Sequence, residues 1–319
     1  MKLQEYQSFE EKGKFFKNGE IPININLNKI FEELEKFQTK GSGFIYRGCS
    51  EAKYRMYNSA QRLYIEQDLH LHTPEDRITE HYVKFISELI ISAQEWNNGV
   101  IRELLIQAGI NPNNSIAFLS YMQHYGLPTP FLDFTFNPFV ALFFAVDNIE
   151  YKASDHAIDN YFSLYYSYEN NTAFELWKYV FDKSLEDENI PYEKLDDNFM
   201  SIIVPKGELY KIVNSLNIIN QDGLFLYNNH PWYPMERTYL EYIYEMKENL
   251  GEEKFKEKML LSEISGCYNI HKSLVPEIKD RLSKMGITKD YIYPNILKFR
   301  EQVTNDGIRR VLSIDKKDD

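Results

Sequence analysis

The chain has 319 residues, 43% apolar and 26% charged, an ordinary globular composition with length for one large domain or two modest ones. Its formal net charge of −12, with no visible cluster of Lys and Arg, disfavours a protein that grips nucleic acid through phosphates. The start, "MKLQEYQSFEEKGK", lacks the apolar stretch of a signal peptide, and no run reaches membrane-spanning length. Two cysteines, Cys49 and Cys267, stand far apart without metal spacing, which suits a reducing cytoplasm and offers no disulfide framework.

In chain order, "INLNKIFEELEKFQTKGSG" predicts a helix capped by Asn28 and closed by a Gly-Ser turn. "FIYRG" reads as a short apolar strand with Arg47 at its end. "HLH" puts His70 and His72 on one side of a strand. Unliganded histidines are the favoured reading there, because no third ligand is specified. Residues 78–96 have apolar positions at three- and four-residue spacing, the mark of an amphipathic helix, and "IRELLIQAG" predicts another, stopped by Gly109.

"NPFVALFFAVDN" carries a helix start: Asn137 caps, and Pro138 fits the first turn because its missing N–H has no partner there anyway. The all-apolar residues that follow predict a helix buried on every side. "DNYFSLYYSY" predicts a strand, "TAFELWKYVFDKSL" a helix, "EDENIPYEKLDDN" an exposed acidic loop, and "FMSIIVP" a strand ended by proline. "QDGLFLYNN" is a turn followed by a strand. "YLEYIYEMK" fits a strand by its aromatic alternation and a helix by its charges. "LVPEIKDRLSKMGI" is a helix stopped at Gly286, before an extended "YIYPNI". Helices and strands mix without regular βαβ alternation, which indicates an α+β fold: an irregular mixed sheet flanked by helices.

The general glycine and metal fingerprints are absent: no G-x-G-x-x-G, no Walker loop, no G-x-S-x-G and no H-E-x-x-H, and no metal site is expected. Arg47, closing a strand beside Gly48, offers a planar fork to a phosphate or carboxylate. A structural salt bridge is the plainer alternative. Cys49 lies two residues on, where an arginine could activate a thiol, although a small inert cysteine is the commoner outcome. In "LSYMQHYGLPTPFLDFTFNPFVALFFA", the polar groups Gln123, His124, Asp133 and Thr135 stand in an apolar wall, as a pocket for a polar ligand requires. Asp133 and Thr135, two apart on an extended segment, share a face. Turn and helix capping by Asp133, Thr135 and Asn137 explains them equally well.

"FIYRG" followed by "QHYGLPTPFLDFTFNPFVALFFA" resembles the FRG domain, a bacterial and phage-borne family named for its Phe/Tyr-Arg-Gly motif. Gln123, His124, Tyr125, Gly126, Thr129, Leu132, Asp133, Thr135, Pro138, Ala141, Leu142, Phe144 and Ala145 match its central pattern. Gln221, Gly223 and Phe225 match a later Gln-x-Gly-x-Phe element, and "IHKSLVPEIKDRLSKMGITKDYIYP" looks like the family's ending. The resemblance implies an extension over 1–29, the domain over 30–300 with a variable insertion at about 150–198, and a tail over 301–319. Cys49 stands where the family usually has Gln, Pro130 where it has Arg, Phe134 where it has Trp, and Asn217 where another Arg is expected. Up to two positive charges are thereby lost from the site.

A weaker similarity links the arrangement to ADP-ribosyltransferases of the Arg-Ser-Glu type, in which a first strand ends in arginine and a later strand precedes an Ala-x-x-Phe-Ala helix. It implies an ADP-ribosyltransferase-like fold with NAD as co-substrate and a toxin or phage-defence effector role. Arg47 and Gly48 would hold the diphosphate, Tyr125 or Phe131 would stack on nicotinamide, and Thr135 would line the nicotinamide side. His124 would orient a phosphate or act as base. Asp133, Glu236 or Glu241 would stabilise positive charge on the ribose, and Gln221 would hold the ribose or stand in for a catalytic glutamate. The expected partners are a nucleotide or small molecule and a protein target or activating partner, with neither membrane nor nucleic acid. Two alternatives stay open: a binding module without turnover, and a hydrolase or nuclease using His124 with Asp133 as an acid–base pair.

Overall fold

The computed structural model of the chain describes residues 2–21, 27–38, 44–107, 111–123, 125–168, 200–203, 217, 220–251, 266–294 and 303–304. His124, the Gly109 stop, the expected helix in "TAFELWKYVFDKSL" and the acidic loop after it lie outside these residues. The elements run α1 (Phe9–Lys12), β1 (Lys17–Ile21), α2 (Leu27–Gln38), β2 (Phe44–Cys49), α3 (Ser59–Glu66), α4 (Ile78–Gln107) and α5 (Ser115–Gln123). They continue with β3 (Phe131–Thr135), α6 (Pro138–Val146), β4 (Tyr161–Tyr168), β5 (Met200–Ile203), β6 (Gly223–Asn228), α7 (Met235–Leu250), β7 (Gly266–His271), α8 (Val275–Lys284) and α9 (Lys289–Ile292).

The strands form a mixed sheet in the order β1-β7-β4-β2-β3-β6-β5, so the fold is α+β. β1 runs parallel to β7, and the remaining pairs are antiparallel. The ladders are full on both sides of the centre: β2 pairs with β4 from Phe44↔Tyr168 to Cys49↔Ser163, and β3 with β6 from Phe131↔Tyr227 to Thr135↔Gly223. Between them β2 and β3 meet at one pair, Tyr46↔Thr135, and then part. The sheet is thus two ribbons joined at a point.

Packing follows from which residues each face turns inward. Over one ribbon, α2, α6 and α8 bury Leu34, Leu142 and Ile278 against Phe162 and Leu164 of β4. Over the other, α4 and α5 bury Ile86, Phe118 and Leu119 against Phe131 and Phe225. The opposite face is closed by the N-terminal segment, with Tyr6 and Phe16 among Ile45, Leu132, Tyr165 and Leu224. The helix cover is therefore divided where the sheet divides.

α6 forms as its sequence predicts: Asn137 accepts from the N–H groups of Phe139 (3.0 Å) and Val140 (3.4 Å), Pro138 opens the helix, and every helical residue except Phe144 is buried. Gly48 is fixed by this helix. A Cβ there would lie 1.9 Å from the carbonyl oxygen of Ala141, so only glycine lets β2 approach α6 this closely.

Several expectations are corrected. Asn28 lies inside α2 and accepts from Arg281, so it is not the cap. His70 and His72 sit in a 3-10 turn, Leu69–His72. The two helices expected from residue 78 are both present, separated inside α4 where Asn97, Asn98 and Gly99 take positive φ. "YLEYIYEMK" is helical, within α7, and the stretch expected to be extended after Gly286 begins with the short α9, capped by Thr288. Residues 161–168 form the interior strand β4, between β7 and β2, and the N-terminal segment supplies β1 and core residues. Among the described residues no helix is long and apolar enough to cross a membrane.

Candidate functional site

A cavity of about 320 Å³ opens where β2 and β3 part, lined on the sheet side by Tyr46, Arg47, Asp133 and Thr135 and on the helix side by Gln123 and Phe144. Gln221 and Tyr293 close its other wall. Arg47 lies inside β2, which the sequence expected to end there but which continues to Cys49, and its Nη1 donates to the main-chain carbonyl of Asp133 at 2.6 Å, with its guanidinium carbon 5.9 Å from the Phe134 ring centre. The side chain thus bridges the two ribbons beyond their last backbone pair. Among the described residues no carboxylate lies within ion-pair distance of it, so the structural salt bridge weighed from the sequence is not what holds Arg47.

The polar rim is organised by Gln123, the last residue of α5. Its amide nitrogen donates to both Asp133 carboxylate oxygens (3.2 and 3.1 Å), and its amide oxygen accepts from the Thr129 hydroxyl. Asp133 itself is exposed. Thr135 is buried: its hydroxyl donates to the carbonyl of Gln221 at 2.5 Å and accepts from the N–H of Asn137 at 2.9 Å. The capping alternative therefore applies to Thr135, which ties β3 to the turn before β6 and to the start of α6. Gln221 donates from Nε2 to the Ile292 carbonyl at 3.2 Å, which leaves its amide oxygen for a donor in the cavity. Burial, then the Asp147 and Asp133 carboxylates, push the Tyr293 phenol up from its ordinary value, so it faces the cavity as a neutral group.

The structure brings Arg47, Gly48, Asp133, Thr135 and Gln221 together and leaves Phe131, Tyr125, Glu236 and Glu241 out. Phe131 is 1% exposed, stacked on Phe225 at 5.4 Å inside the α4–α5 core, so no ring face is left for a ligand. Tyr125 is 64% exposed and packs against Tyr121 outside the cavity lining. Neither late glutamate reaches the cavity. Glu236 is buried, accepting from the Tyr6 hydroxyl (2.5 Å) and the Met56 N–H (3.2 Å), and Glu241 pairs with Arg237 one helical turn away. The Cys49 thiol donates to the Glu51 carbonyl at 3.3 Å. Among the described residues no group of three or more His, Cys, Asp and Glu is arranged to hold a metal.

A second cavity, about 490 Å³, shares Arg47, Gly48 and Phe144 with the first and continues past β2 toward α3 and the N-terminal segment. Its walls include Glu5, Tyr57, Arg62 and Glu66. Arg62, on the exposed side of α3, donates to the Tyr57 carbonyl at 2.7 Å. Sequence reasoning passed over it: "SAQRLYIE" shows an arginine on the polar side of a helix, and nothing in it reveals that α3 shares a cavity wall with Arg47.

A family model described as the FRG domain matches residues 42–154, a span that holds Arg47, Gly48, Arg62, Gln123, Asp133 and Thr135 and stops short of Gln221. No curated protein and no solved structure matches the chain. With the Tyr-Arg-Gly strand, the Asp133–Thr135 strand and the helix that begins at Pro138 all inside the matched span, the chain carries an FRG domain at residues 42–154.

Proposed function

We propose that the cavity around Arg47 binds NAD and that the protein cleaves the nicotinamide–ribose bond, as an ADP-ribosyltransferase-like effector working in the reducing cytoplasm. The observation that carries the reading is Arg47: a guanidinium tethered by one hydrogen bond, free of carboxylate partners among the described residues, just past the single β2–β3 pair where the two ribbons part. Four of its five N–H donors remain for a diphosphate. When the C1′–N bond breaks, its electron pair leaves with nicotinamide and positive charge builds on the ribose. The Asp133 carboxylate on the rim stabilises that charge, and the Gln221 amide oxygen accepts from a ribose hydroxyl. Water or a nucleophile on a protein target then bonds C1′ and gives up a proton to Asp133 or to solvent. A toxin or phage-defence role follows from the family resemblance and from no residue by itself.

The alternative is a nucleotide-binding module without turnover. It is favoured by one feature: the cavity has glutamine, Gln221, where a catalytic glutamate would serve, and the late glutamates Glu236 and Glu241 are engaged outside it.

The test is incubation of the purified protein with NAD while free nicotinamide is followed, with Arg47→Ala as control. Release lost in the variant supports the enzyme reading. NAD-dependent thermal stabilisation without release supports the binding module. Neither signal from the wild-type protein disproves both.

A further inference from the structure

The two cavities meet at Arg47 and differ in character. The first is rimmed by amides and one carboxylate, while the second places Arg62 beside Arg47. Like charges held close in a concave wall repel, and a bound counter-charge relieves that repulsion. The nearby ion pairs do not supply it. Arg55 is taken by Glu11 (2.5 Å), Lys53 by Asp159 (3.3 Å) and Glu5 (3.8 Å), and Lys272 by Glu51 (2.6 Å). Neither Arg47 nor Arg62 has a carboxylate within ion-pair distance among the described residues, although Glu66 lines the same wall. Desolvation in the concave mouth, then the Arg47 charge, push Arg62 down from its ordinary value, against the raising effects of Glu66 and Asp133 beyond ion-pair distance, even though its side chain still meets water.

Each guanidinium is also anchored by one N–H to a main-chain carbonyl, Arg47 to Asp133 and Arg62 to Tyr57, so the two forks are held in place before any ligand arrives. Pre-positioned forks with spare donors match the bidentate geometry of phosphate oxygens. The first cavity alone is at the small end of ligand sites, whereas the joined pair suits an extended, anionic molecule.

We infer that the second cavity is a phosphate site, with Arg62 as the second phosphate-binding residue, and that the ligand's diphosphate lies between Arg47 and Arg62. The placement of a nucleoside half in the first cavity rests on the NAD reading above. The phosphate site does not, and the two can fail separately.

The experiment is calorimetric titration of the full chain with inorganic pyrophosphate at low ionic strength, with nicotinamide release measured in parallel. Wild-type protein binds pyrophosphate, Arg62→Gln weakens binding about tenfold or more, and Arg62→Lys, which keeps a point charge, weakens it less. Glu66→Gln, which removes a competing negative charge, tightens it. Absence of binding to the wild-type protein overturns the inference, and so does unchanged affinity in an Arg62→Gln variant with an unaltered melting temperature. Should Arg62→Gln fail to fold, Glu66→Gln decides: affinity equal to wild type overturns the site. Pyrophosphate binding that depends on Arg62, in a protein that neither releases nicotinamide nor is stabilised by NAD, supports the phosphate site while removing the NAD reading.

Discussion

Arg47 and Asp133 are joined through the main chain: the guanidinium donates to the Asp133 carbonyl, while the Asp133 carboxylate turns away to Gln123. One residue thus anchors the arginine and offers a negative rim without neutralising it. An Arg47–carboxylate pair would have consumed both groups. Replacing Arg47 with alanine removes one hydrogen bond at a site open to water, so the expected stability loss is about 1 kcal/mol, read by urea denaturation. The expected loss of nicotinamide release is about a hundredfold or more. A variant that unfolds would assign Arg47 to the scaffold instead.

Gly48→Ala tests the neighbouring position by steric means. The added methyl meets the Ala141 carbonyl, and β2 and α6 must separate to admit it. The expected cost is about 3 kcal/mol, with a lower denaturation midpoint. Unchanged stability would mean that α6 shifts freely, and that the glycine of the motif serves ligand approach instead of packing.

Phe131 and Tyr125 make a paired prediction. Phe131→Ala opens a hole between Phe225 and the α4–α5 core and is expected to cost about 4 kcal/mol. Tyr125→Ala, at an exposed ring, is expected to leave stability nearly unchanged. If a ligand affinity measured on the folded Tyr125→Ala variant fell, the ring would belong to the site after all, through movement of the segment after α5.

Glu236 gives the chain a pH dependence of unusual sign. Burial raises its carboxyl pKa above the ordinary value, against the lowering effects of Tyr6, Arg55 and the Met56 N–H. In the window between the unfolded and the raised folded value, the folded state binds more protons than the unfolded one. Stability contributed by this group is therefore full below the unfolded value and is lost as pH rises through the folded value. Unfolding free energy measured from pH 4 to pH 8 is expected to fall more steeply for wild type than for Glu236→Gln. Equal slopes would show that the Tyr6 and Met56 hydrogen bonds cancel the burial.

Lys12 is fully buried and donates to Ala52 O (2.8 Å), Ser163 Oγ (2.6 Å) and Asn269 Oδ1 (2.9 Å). Lys12→Met removes all three bonds, although Asn269 Oδ1 still accepts from Ser163 Oγ at 2.9 Å, and is expected to cost about 3 kcal/mol. Limited proteolysis should then cut within residues 2–16 before the rest of the domain opens. Simultaneous loss of all protection would mean that the segment is not a separable latch.

What the sequence disclosed followed the range of the forces involved. The cap at Asn137, the buried helix from Pro138 and the strand at Arg47 are local matters of backbone donors and apolar periodicity, and they were legible. The parting of β2 from β3, which creates the cavity, depends on pairing between distant segments, and so does the sharing of a cavity wall by Arg62 and Arg47. Phe131 misled because the similarity to ADP-ribosyltransferases assigned its ring to nicotinamide, whereas that ring is claimed by Phe225 on the neighbouring strand. Aromatic alternation in "YLEYIYEMK" was outweighed by its helix-forming charged residues.

The order of strands also dictates when the domain can assemble. β7, at residues 266–271, lies between β1 and β4, and Lys12 finds its partner Asn269 there, 257 positions away in sequence. Such high contact order slows folding, because loop closure is paid before the ladder rewards it. On the ribosome, β1 and β4 emerge long before the strand that joins them, so the ribbon carrying Arg47 completes only after residue 271 has emerged. The cavity therefore stays unfinished until β7 has been made, a delay on any activity that is written into the topology.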